Sequence, residues 1–205
     1  MGKHAQSIDS AIMRRIRRHG RGWAFTPAQF QDLGSRTAVG LALMRHTHAG
    51  TIRQFARGLY DYPKQDPLLG TLSPSVDRIA EAVAGRDAAR LQPSGAYAAN
   101  LLGLSDQVPM RVVLLTDGPT RKVVLGKQQI TFKRTTPRNM ATAGRVSGTV
   151  IQALRWISQR HVDAQMVRIL RGRLSAADKH QLLKDLRLAP AWIAEIMRKV
   201  AEDKP

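Results

Sequence analysis

The 205-residue chain contains no cysteine, which excludes disulfides, thiolate metal sites and cysteine nucleophiles together. Stability must come from packing, and a hydrophobic content of 43% is enough to build a core. No stretch approaches the run of about 18 apolar residues that a spanning helix needs. Residues 1–10 are polar, and the segment AIMRRIRRHGRG interrupts every apolar pair with arginine, unlike the apolar region of a signal peptide. A cytoplasmic location without membrane contact is therefore expected. Catalytic signatures are also missing: GxxxxGK[ST], HExxH and GxSxG do not occur. Asp66, Asp77, Glu81, Asp87, Asp106 and Asp117 are scattered and form no spaced carboxylate pair for acid-base work. Asp117-Gly118-Pro119 reads as a turn. His46 and His48, two apart on a helix, diverge by about 200° and do not make a metal site. No enzymatic activity, cofactor or metal is expected.

Acidic residues are scarce. Asp and Glu number 15 against 33 Lys and Arg, a formal net charge of +18. Such an excess implies a polyanionic partner, because basic side chains gain affinity by releasing counterions from phosphates. Nucleic acid leads among the candidates.

The pattern along the chain gives that partner a docking element. In SIDSAIMRRIRRHG, Ile8, Ile12 and Ile16 share one face of a helix that Gly20 or Gly22 ends. Thr26-Pro27-Ala28-Gln29 spells a capping box with Pro at the first helical position, so a second, short helix is expected with Phe30 and Leu33 inward. Gly34 breaks it, and Ser35 caps a third helix over 36–48 whose stripe is Val39, Ala42, Leu43 and His46. Residues 51–55 and 59–62 form a hairpin with Gly58 at the positive-φ position. Residues 64–74 read as linker or surface loop. A helix over 75–83, capped by Ser73 or Ser75, and another over 95–104 are expected, with strands over 111–115 and 121–132 that turn at Gly126-Lys127, and loop over 135–148. Three helices follow from 149, the second capped by Ser175 and the third starting at Pro190.

The expected fold is α+β and mainly helical: a winged helix-turn-helix over 1–64, then a 65–205 domain with strands at 110–133 and helices at 149–202. In a winged helix the third helix packs one face on the first two and leaves the other free for a major groove about 12 Å wide. Arg36 suits guanine or phosphate, and Ser35 and Thr37 suit phosphate oxygens beside a helix N-terminus. Gly40 permits close approach. Leu41 and Met44 could touch thymine methyls, but packing against a later part of the chain is the better expectation for them. Arg53 and Arg57 of the hairpin would track the flanking backbone. Arg14 and Arg18 extend the candidate surface, although the arginines of the first helix read equally as a solvated face. His46 is expected to be an interior, hydrogen-bonded histidine.

The stretch GSRTAVGLALMRHTHAGTIRQFARGLYDYP resembles the AbiEi-type antitoxins of bacterial toxin-antitoxin systems. LLTDGPTRKVVLGKQQITFKRTTPRNM is similar to the middle segment of an antitoxin-like branch of that group. The resemblance covers about half of the chain and implies a DNA-binding autorepressor that counteracts a cognate nucleotidyltransferase-like toxin. Its partners would be double-stranded promoter or operator DNA and, functionally, that toxin. By match to the motif, Arg36, Thr37, Arg45, Arg53 and Arg57 carry over as DNA contacts, and Gly58 and Tyr60 as wing structure. His46 departs from the leucine usual in the pattern. The alternatives are a winged-helix regulator unrelated to a toxin and a basic RNA-binding factor using residues 133–145.

Overall fold

A computed structural model describes residues 7–202; the first six residues of the polar N-terminal segment lie outside them. The chain is α+β and divides after Ala89 into two compact units.

In the first unit, α1 (Ile8–His19) starts at Ser7, whose side chain accepts a bond from Ser10 N, and ends where Gly20 turns to φ +83°. Its buried stripe is Ile12, Met13 and Ile16. β1 (Ala24–Phe25) leads into a single 3-10 turn, Pro27–Phe30. This turn replaces the short α-helix expected there. Gln29 Oε1 accepts from Thr26 N at 2.8 Å, as the capping box requires. The Gln29 carbonyl, however, is taken by Arg15 Nη1 at 2.5 Å instead of by a next helical turn. α2 (Arg36–His48) begins at Ser35, whose Oγ accepts from Ala38 N at 3.2 Å. β2 (Arg53–Ala56) and β3 (Leu59–Asp61) form the expected hairpin, with Gly58 at φ +69°. The sheet order is β1-β3-β2, all antiparallel. Phe25 lies edge-on to Phe30 and stacks on Tyr60, tying the sheet to the 3-10 turn. Ile12, Ile16, Val39, Leu43 and Ile52 complete this core.

The stretch 64–74, expected as linker or loop, contains a second hairpin of β4 (Lys64–Asp66) and β5 (Gly70–Leu72). Its turn is held by Asp66 Oδ1, which accepts from both Leu68 N and Leu69 N at 2.9 Å, a local alternative to regular structure that Asp offers. α3 (Val76–Asp87) follows, capped by Ser75 and buried through Ile79, Ala82 and Val83. It packs against β1 and the 3-10 turn, so the first unit runs to Ala89 instead of ending at the expected residue 64.

The second unit opens with β6 (Leu91–Ser94) and α4 (Gly95–Leu101). β7 (Arg111–Thr116), β8 (Arg121–Leu125) and β9 (Gln128–Arg134) complete a four-stranded sheet of order β6-β7-β9-β8. β7 and β9 pair in parallel, and the other pairs are antiparallel. β6 was not expected; its Pro93 is tolerated because the strand is an edge. Residues 135–148 are not simply loop, since they hold α5 (Pro137–Met140) and the first turn of α6 (Val146–Ile157). α6 packs on α4, β6, α8 and α9. The helical end is one helix richer than expected: α7 (Ala164–Arg173), α8 (Ala176–Lys184) and α9 (Ala191–Ala201). Asp163 caps α7, Ser175 caps α8, and Pro190 stands at the cap of α9. Leu154, Leu170, Leu182, Ile193 and Met197 form the shared core.

A buried polar joint ties the N-terminal end of α6 to α8. Asp185, almost fully buried, accepts from Arg145 Nη1 at 2.7 Å, from the Ser147 hydroxyl and from Gln181 Nε2 at 2.9 Å. Beside it Gly148 has no room for a side chain: a Cβ there would collide with Gln92 Oε1 and the Thr142 carbonyl. Gly148→Ala, although it improves helix propensity, is expected to destabilise the protein by about 1–3 kcal/mol through overpacking, read as a lowered midpoint in urea unfolding.

Candidate nucleic-acid interface

α2 buries Val39, Ala42 and Leu43 against the first unit's core. A helix advances 100° per residue, so Thr37, Leu41, Met44 and His48 fall on the opposite side, Gly40 lies between that side and the buried one, and Arg36, three residues before Val39, projects at the edge of the buried stripe. All six are exposed, as is Ser35. Leu41 and Met44 are each 46% exposed, so within the first unit no later segment gives them the expected cover. An added Cβ at Gly40 would meet nothing within 4 Å. The outward face is thus apolar at its centre, with Gly40 to one side and the exposed Arg36 at the helix's N-terminal end.

That N-terminal end borders a cleft of about 380 Å³. Arg36 and Val39 of α2, Pro27 and Gln31 from around the 3-10 turn, Gly58 of the β2–β3 turn and Arg86 of α3 line it, with no carboxylate in the wall. The hairpin turn and the arginine-bearing end of α2 therefore share one hollow. Arg57 is exposed at that turn.

The other candidates are placed differently. Arg45 is exposed but forks onto Asp9 of α1, with Nε–Oδ1 3.2 Å and Nη2–Oδ2 2.7 Å. It works as a clasp between α1 and α2. Arg53 is committed more firmly. Its Nε and Nη2 donate to Asp61 at 3.1 and 2.7 Å, and Nη2 also donates to the Leu72 carbonyl at 3.0 Å. Asp61 is 1% exposed, and its hydrogen bonds raise the Arg53 pKa above its usual value. Arg53 is thus a structural residue of the sheet, which corrects its assignment as a backbone-tracking group. Its position opposite Asp61 across the hairpin was the available signal. Arg14 and Arg18 are exposed on α1. Arg14 lines a different hollow from Arg36, shared with Asp9, Arg17 and His46. His46 is half-buried, with Nε2 3.7 Å from Asp9 Oδ1, so it sits at the rim of the core stripe. Arg86 was missed because it lies in a segment expected to belong to the next domain.

A family model described as a family of unknown function, DUF6088, matches residues 11–182. The chain belongs to the DUF6088 family. The match enters within α1 and leaves within α8, so DUF6088 includes both the α2 face with its cleft and the second unit's sheet. No curated protein matches the chain. Among the described residues no helix is long and apolar enough to cross a membrane.

Two outcomes separate clasp residues from exposed ones. Arg53→Ala is expected to cost about 3 kcal/mol, because it strands a buried carboxylate, whereas Arg57→Ala should stay within about 0.5 kcal/mol of the parent; chemical denaturation measures both. The Arg45 hydrogen bonds hold the Asp9 carboxyl below its ordinary value of 3.8. A depressed folded-state pKa contributes stability above the ordinary value that is lost as pH falls through the folded one. In Arg45→Gln, the Asp9 titration followed by carboxyl NMR should move up toward 3.8.

Proposed function

We propose that the first unit is a winged helix that grips duplex DNA, and that the chain is an antitoxin that represses its own promoter. The observation that carries the DNA reading is the bare face of α2, from Ser35 to Met44, beside the β2–β3 turn. Three further features support it. The order α1, β1, 3-10 turn, α2, β2, β3 with the sheet β1-β3-β2 suits a winged helix in which the 3-10 turn stands for the second helix. The width of one helix fits a major groove, and its exposed Arg36, Thr37 and Gly40 offer a guanine or phosphate donor, a hydroxyl and a close approach. The excess of 18 positive charges supplies the counterion-release term that drives non-specific DNA affinity. On this reading Arg36, Thr37 and Gly40 face the groove and Arg57 the flanking backbone. Arg45 and Arg53 hold the frame instead.

The antitoxin role, with a nucleotidyltransferase-like toxin as functional partner in the cytoplasm, rests on the resemblance to AbiEi-type antitoxins. A plain transcription regulator would share the same DNA surface. Co-expression with the adjacent gene separates the two: growth arrest relieved by this chain favours the antitoxin, and no toxicity favours the regulator. The RNA-binding alternative has less support. Single-stranded RNA is held by aromatic platforms on open sheet faces, while the one aromatic of the β6–β9 sheet, Phe132, is fully buried.

Arg36→Ala is expected to weaken operator binding by about 1–3 kcal/mol, as loss of a bidentate guanidinium contact to base or phosphate does. Arg57→Ala should lower affinity evenly across sequences and reduce the salt slope by about one contact. Gel shifts at graded salt report both, and an unchanged Arg36→Ala affinity would remove α2 from the groove.

A further inference from the structure

The cleft between α2, the β2–β3 turn and α3 has a wall that the winged-helix elements alone do not provide. Arg86 comes from the last turn of α3, and Arg36 from the first turn of α2. The two guanidinium groups line one hollow whose wall has no acid. Arg86 Nε donates to Asp87 Oδ1 at 3.1 Å, which fixes the plane of the guanidinium. Its Nη2 is buried and meets no acceptor among the described residues. Its Nη1 lies 3.9 Å from where a Cβ of Gly58 would stand, so the group abuts the hairpin turn. A buried donor without an acceptor is costly and rare, and the residue that carries it lines the cleft.

We propose that this cleft binds a phosphate group, held between Arg36 and Arg86, and that α3 is thereby part of the DNA-gripping surface. The inference rests on the winged-helix reading for its source of phosphate, the duplex backbone. The pairing of two planar, multi-donor cations from different elements suits a tetrahedral oxyanion. The cleft's 380 Å³ exceeds a lone phosphate and leaves room for the sugar on either side of a phosphodiester. Asp87 accepts from Nε, and Nη2 remains without an acceptor among the described residues.

The test uses the full chain and two probes. Fluorescence anisotropy of a 20-base-pair duplex at graded KCl compares the parent with Arg86→Gln and Arg86→Lys; side-chain Arg NMR follows titration with potassium phosphate at constant ionic strength. Arg86→Gln is expected to bind the duplex several-fold more weakly and to lower the magnitude of the salt slope by about 0.9, the share of one phosphate. Arg86→Lys, which keeps the charge, should recover most of that slope. Circular dichroism melting confirms that each variant is folded; if the glutamine variant is not, the response of the parent's Arg86 side-chain signal to phosphate and to duplex carries the test, and no response overturns the proposal. Parent binding with an unchanged slope in Arg86→Gln, and no phosphate response, overturns the proposal while the α2 surface stands. If the parent does not bind duplex, the DNA reading fails on its own. In that case an Arg86-dependent response to free phosphate still supports the cleft as a site for a small phosphorylated ligand, and its absence overturns it.

Discussion

Burying a carboxylate at the end of a central strand sets the terms for the whole first unit. Asp61 is shut away from water, and a charge so placed has to be matched. Arg53 is its direct cross-strand partner in the β2–β3 register, so the ion pair and the register specify each other. A slip by one residue would turn the fork away and strand the charge. The same guanidinium reaches the Leu72 carbonyl, which brings the β4–β5 hairpin onto the frame. The β2–β3 turn is consequently held at a defined height beside the 3-10 turn, and the cleft next to Arg36 follows from that placement.

Much of the helical skeleton was legible in the sequence because its signals are local. Ser35, Ser75 and Ser175 each stand at the start of a helix with their side chains accepting from the third residue on. The outward face of α2 follows from periodicity alone. Elements decided by distant partners were less visible. Nothing near Pro27 announces that Arg15 will claim the Gln29 carbonyl and hold the segment to one 3-10 turn. β6 reads poorly because Pro93 lies within it, and the parallel pairing of β7 with β9 is a long-range choice. In the site, arginines that the motif grouped together are set apart: nine residues apart on α2, Arg36 and Arg45 project to opposite sides of the helix, and Arg45 is claimed from α1 by Asp9 while Arg36 lines the cleft. Arg86 could not be placed at all without knowing that α3 returns to β1.

The chain uses arginine for two purposes, and net charge does not distinguish them. Arg15, Arg21, Arg53 and Arg145 each donate to a main-chain carbonyl, and three of the four also fork onto or pair with an aspartate. Guanidinium does this well because its several donors are held in one plane. In a chain without disulfides such joints link segments far apart in sequence. The cations open to a polyanion are therefore fewer than a count of basic residues suggests, and Arg36 is one of them, in a cleft whose wall has no carboxylate.

The strand order of the second unit has a temporal meaning. Because β9 sits between β7 and β8, one flank of β7 has no neighbour until residues 128–134 have been synthesised, although β6 can already cover the other. The β8–β9 hairpin is local and closes quickly, whereas the parallel pairing must wait for it. On the ribosome, the first unit can be complete while Val112 and Leu114 still await the strand that covers them. This is an interval in which an apolar edge is open to capture by chaperones or by other nascent chains.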